Sequence, residues 1–83
     1  MRFAVLIERL RAELDHRVRG GEWTERGLAR RLNVSQPHIH NVLKGIRTMS
    51  PDLADHILTE LRISMGVLFS LEELEEMRRN QAG

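Results

Sequence analysis

A repeated helix-start signal constrains this chain more than any other feature. Four times a hydroxyl residue follows one apolar residue and precedes another by four positions: Trp23-Thr24 with Leu28, Val34-Ser35 with Ile39, Ile63-Ser64 with Leu68, and Phe69-Ser70 with Leu74. The hydroxyl oxygen can accept from a backbone N–H that has no partner in the first helical turn, and the apolar pair staples the incoming chain to the helix. Ser70-Leu71-Glu72-Glu73 adds a capping box, and Ser50-Pro51 opens one more helix with proline at its favoured first position. A chain that starts helices this often folds as a set of short helices.

The apolar spacing agrees. Phe3, Leu6, Ile7, Leu10, Leu14 and Val18 advance in three- and four-residue steps, which predicts an amphipathic helix over residues 3–19, stopped by Gly20 and Gly21. Leu28, Ala29 and Leu32 form the inner face of a second helix, and Asn33, which tolerates positive φ, ends it. A third helix over residues 35–44 turns Ile39, Val42 and Leu43 inward, carries Pro37 in its first turn and stops at Gly45. Leu53, Ala54, Ile57, Leu58 and Leu61 make the buried stripe of a fourth. Ser64 opens a short fifth and Ser70 a final segment that frays from Asn80. No stretch alternates in the strand pattern. The expectation is all-α: a compact five- to six-helix bundle, one domain over residues 1–79 with a tail over 80–83.

Several function classes drop out. The chain has 83 residues and no cysteine, so a disulfide framework and a cysteine zinc site are excluded. His38 and His40 are two apart and point in different directions on a helix, and His16 and His56 fall on other helices, so no metal site is expected. No nucleophile triad, Gly-rich phosphate loop or HExxH is present, which argues against an enzyme and gives no cofactor a seat. The longest apolar run is too short to cross a bilayer, and no secretory leader is expected at the start. The acids Glu72, Glu73, Glu75 and Glu76 read as a solvated helix face.

Charge is informative only when divided. The total is +1, from 13 basic and 12 acidic residues. Residues 26–47 nevertheless hold Arg26, Arg30, Arg31, Lys44 and Arg47 and no acid. A phosphate backbone responds to that local field and not to the total. The same stretch contains two short helices separated by Asn33 and Val34, with the small Ala29 on the inner face. Two helices cross closely when the residue between them is small and the turn residue accepts an unusual φ. Leu28, Ala29, Leu32, Asn33, Val34, Ile39 and Val42 meet both needs, which is the physical content of a helix-turn-helix over residues 24–45.

Residues 24–47, TERGLARRLNVSQPHIHNVLKGIR, resemble the helix-turn-helix of the lambda-repressor-like, or Xre, family of bacterial and phage regulators, and MSPDLADHILTELRISMGVLF is similar to that family's fourth and fifth helices. The likeness covers about residues 3–71. Asn33 departs from the family's usual glycine, and Gly27 is unusual inside a helix.

The resemblance implies a sequence-specific transcriptional regulator, in particular a repressor, that binds double-stranded DNA in the cytoplasm, at the nucleoid. Its third helix would lie in the major groove with Gln36, Pro37, His40 and Asn41 toward base edges. Gln36 and Asn41 can pair bidentately with adenine, and Pro37 offers only apolar contact. Thr24, Arg26, His38, Lys44 and Arg47 would meet phosphates. Glu25 would repel them unless it turns away or pairs with an arginine, and Arg30 and Arg31 are expected to be solvated or paired with acids. Val67, Leu68, Leu71, Leu74 and Met77 would either join two copies as a homodimer or close the core. The competing expectation is a protein-interaction module or an antitoxin on the same fold, with an unknown protein partner.

Overall fold

The computed structural model describes residues 3–82 and is all-helical: α1 (Phe3–Arg19), α2 (Glu25–Leu32), α3 (Gln36–Leu43), α4 (Pro51–Glu60), α5 (Met65–Leu68) and α6 (Leu71–Ala82). Among the described residues there is no strand. The caps explain where most helices begin. Thr24 Oγ1 accepts from the Gly27 N–H at 2.9 Å, Ser35 Oγ from His38 at 3.2 Å, and Ser50 Oγ from Leu53 at 3.1 Å. The capping box at α6 is reciprocal: the Ser70 N–H donates to Glu73 Oε1 at 2.9 Å, and the Glu73 N–H to Ser70 Oγ at 3.2 Å. Ser64 precedes α5 but makes no side-chain cap bond. The N–H it would accept, on Val67, donates to the Ser64 carbonyl instead, closing a single tight turn.

Gly21 and Gly45 both have positive φ, as does Asn33 at φ 58 and ψ 44. The sequence carries no warning of Arg62, which takes φ 54 just beyond α4 while the Ile63 N–H donates to the Leu58 carbonyl at 3.1 Å. A residue with a Cβ is strained there in a way that glycine is not. Arg62→Gly is expected to stabilise the fold by about 0.5–1 kcal/mol, the strain relieved less the added entropy of glycine. Equilibrium denaturation measures it, and a loss of stability would mean that the arginine side chain contributes more than the turn. At the far end, α6 continues through Asn80 to Ala82, beyond the expected start of the tail, because no helix breaker intervenes. Gly83 lies outside the described residues.

Among the described residues, every buried side chain is apolar. The core joins Leu10 and Leu14 of α1 to the inner faces of α2, α3 and α4, and Ile63, Leu68 and Phe69 close it. Met49, in the loop after α3, is also buried, a position that periodicity did not mark. Two arginines of α1 tie distant segments to this core. Arg9 Nη1 donates to the Leu68 carbonyl at 3.2 Å and to Glu73 at 2.6 Å, with its guanidinium 4.8 Å from the Phe69 ring centre. That bond and the Ser70 N–H hold the Glu73 carboxyl down at about 2, well below the usual carboxylate range. Arg11 forks onto Glu8 and reaches the last carbonyl of α3, on Leu43, at 2.8 Å. Arg11 therefore satisfies a helix end that would otherwise need water, and it fixes α3 against α1.

Candidate nucleic-acid interface

Three residues, 33–35, separate α2 from α3. Asn33 ends α2 in the left-handed conformation, its N–H directed at the Arg30 carbonyl at 3.3 Å, and the Val34 N–H returns to Ala29 at 2.9 Å. The chain thus turns within three residues, and Leu28, Ala29 and Leu32 of α2 are buried in the same core as Ile39, Val42 and Leu43 of α3. Burial of that face of α3 leaves the other face outward. Gln36, His40 and Lys44 follow four-residue steps, and Pro37 with Asn41 forms the adjacent row. Gln36, Pro37, His40 and Lys44 are exposed, and Asn41 is half-buried. Gln36, Pro37, His40 and Asn41 line one open groove together with Glu25. The four expected base-reading residues are therefore brought together.

None of the expected phosphate-contacting residues lines that groove. Thr24 and Arg26 are exposed at the start of α2, beside Glu25; Lys44 and Arg47 are exposed at the end of α3 and just beyond. His38 is half-buried on the flank of α3, outside the groove. Arg31 stacks 5.1 Å from the Trp23 ring and pairs with Glu60 at 3.4 Å, in line with the expectation of an acid partner. Glu25 differs from expectation. Its partner is not an arginine but His40, whose Nδ1 lies 3.0 and 3.2 Å from the two carboxylate oxygens.

Charge pairing divides the molecule. In α1, Arg9, Arg11, Arg17 and Arg19 are all engaged, with Glu73, Glu8, Glu13 and Asp15 respectively. Arg26, Arg30, Lys44 and Arg47 have no acidic partner among the described residues. Arg62, Arg78 and Arg79 are also unpaired there, but the last two share α6 with Glu72, Glu73, Glu75 and Glu76. Arg26, Arg30, Lys44 and Arg47 are thus exposed, unneutralised cations on α2, at the end of α3 and just beyond it.

Gly27 acquires a reason that the sequence does not supply. A Cβ at this position would stand 2.9 Å from Thr24 Oγ1, the atom that caps α2 through the Gly27 N–H. Gly27→Ala alone is therefore expected to fall short of the about 1 kcal/mol that alanine gains over glycine in a helix. In a Thr24→Ala background, with the cap already removed, the full gain should appear. A denaturation cycle over the four variants reads the coupling, and simple additivity would remove this explanation of the glycine.

Two further features were not legible in the sequence. Arg11 holds the end of α3 across 32 residues of chain. Ile46 is 74% exposed between Gly45 and Arg47, an apolar side chain beside the cations. In the C-terminal segment, Leu68 is buried and Leu74 and Met77 pack against the core, so these three serve closure. Leu68 is thereby removed from the candidate pairing surface, whereas Val67 and Leu71 remain outward at 50% and 72% exposure. Among the described residues, no three His, Cys, Asp or Glu side chains gather as a metal site, and no helix is long and apolar enough to cross a membrane.

Compared with known proteins, the chain matches no family model, no curated protein and no solved structure.

Proposed function

We propose that this chain is a sequence-specific double-stranded DNA-binding module, a transcriptional regulator of the lambda-repressor-like kind, that reads the major groove with α3. The observation that carries this reading is the segregation of charge: the α1 arginines are neutralised within the fold, whereas Arg26, at the start of α2, and Lys44 and Arg47, at the end of α3 and just beyond, are exposed and unpaired among the described residues. Unpaired cations draw the phosphate backbone and fix register, and side chains on the projecting row read base edges. Gln36, in the first turn of α3 and exposed, has an amide N–H and an amide carbonyl to offer adenine. A single small module offers few such groups. A two-fold dimer would read half-sites about 34–36 Å apart, and Val67 and Leu71 are two of the exposed apolar groups of the C-terminal segment that would support it.

Selection from random duplex DNA at low salt, followed by sequencing, tests the reading directly. A defined half-site is expected, with Gln36→Ala relaxing the preference at one base position by about 1–3 kcal/mol. Failure to retain any duplex would sink it. The exposed Val67 and Leu71 favour a protein-interaction module as the second reading. That reading predicts capture of a protein partner together with no retention on DNA or heparin.

A further inference from the structure

We infer that Glu25 is a specificity-determining positioning residue, holding His40 so that the base pair beneath it is read as an amine donor: cytosine N4 or adenine N6. This inference rests on the DNA-binding reading above. Glu25 stands first in α2 and His40 in the middle of α3, and both line the groove with Gln36, Pro37 and Asn41. His40 Nδ1 faces both oxygens of Glu25, at 3.0 and 3.2 Å. A carboxylate only accepts hydrogen bonds, so the ring proton of neutral His40 belongs on Nδ1. The other nitrogen, Nε2, then presents a lone pair. In the major groove the complementary groups are the exocyclic amines of cytosine and adenine, whereas guanine offers only N7 and O6 acceptors there.

The side chain of Glu25 is 26% exposed and that of His40 is 48%, so the carboxylate is the more enclosed partner and the imidazole the one open to a ligand. This also accounts for an acid inside a surface meant for phosphate. Its charge is directed at the imidazole.

The test combines nitrogen-15 NMR of the His40 ring in the free, full chain with DNA selection, both at an alkaline pH at which the ring signals have stopped changing. The wild-type ring is expected as the Nδ1–H tautomer, and Glu25→Ala should shift it toward Nε2–H. Selection should give cytosine or adenine at one position, preferred over guanine by about tenfold or more. Glu25→Ala and His40→Ala should both lose that preference at the same position. Glu25→Lys supplies a second variant. An ammonium donates to Nδ1, so Nε2–H turns outward and the preference should move away from cytosine to bases that present an acceptor in the major groove: guanine N7 or O6, adenine N7 or thymine O4. A wild-type ring protonated at Nε2, or a Glu25→Ala variant that binds every duplex more tightly with the same base preference, overturns the inference and leaves the DNA-binding reading standing. If the wild type retains no duplex, the DNA-binding reading fails first and this inference with it.

Discussion

Leu28→Ala is expected to remove about 2–5 kcal/mol of stability. Leu28 is completely buried. It belongs to α2 and to the core shared with α1, α3 and α4, so neighbours on several sides limit collapse into the space left behind. A fold of this size has about 4–12 kcal/mol in total, which makes the loss about a sixth of the stability at the least. The melting temperature should fall by about 10–30 °C. Leu71→Ala is the matched control: the same atoms are removed from a side chain that is 72% exposed, and the change should stay within about 0.5 kcal/mol. Equal effects at the two positions would contradict the packing described for α2. The comparison also separates folding from binding, because Leu28 has no surface to offer a ligand.

The second large effect is electrostatic. Replacing Lys44 and Arg47 together by alanine should weaken binding to every duplex and lower the slope of log affinity against log salt by about two, one for each phosphate left without its cation. Both side chains are exposed and unpaired among the described residues, so no buried charge is orphaned and stability should hardly change. Gln36→Ala is the contrasting variant, with its effect concentrated at one base position and the salt slope retained. Arg9→Ala is a further contrast. It breaks the tether to Glu73 and Leu68, which is a matter of folding, and should leave the salt slope alone. Titration of fluorescent duplexes over a salt series reads all of these. An unchanged slope in the Lys44 and Arg47 double variant would show that this end of α3 does not meet the backbone.

The helices and most of their limits are legible in the sequence because they depend on neighbours only a few residues away. Thr24, Ser35, Ser50 and Ser70 each cap through a backbone N–H three residues on, and Asn33 adopts the left-handed turn that its short polar side chain permits. The outward row Gln36, Pro37, His40 and Asn41 is legible for the same reason, since burial of Ile39, Val42 and Leu43 dictates which face is left. Periodicity specifies a face; it does not specify what lies across from it.

Only the tertiary structure decides the pairings between elements. Glu25 is an acid near a basic stretch until α2 and α3 are placed side by side, and then it is the partner of His40. Arg11 is one of several helix-one cations until the end of α3 comes within 2.8 Å of it. The division of Val67, Leu68, Leu71, Leu74 and Met77 into three that close the core and two that face outward likewise needs α5 and α6 docked on α1. The net charge of +1 contains the same lesson. The sequence by itself determined where the cations stand. Which of them were neutralised was settled by distances between side chains far apart in the chain, and no local rule encodes those distances.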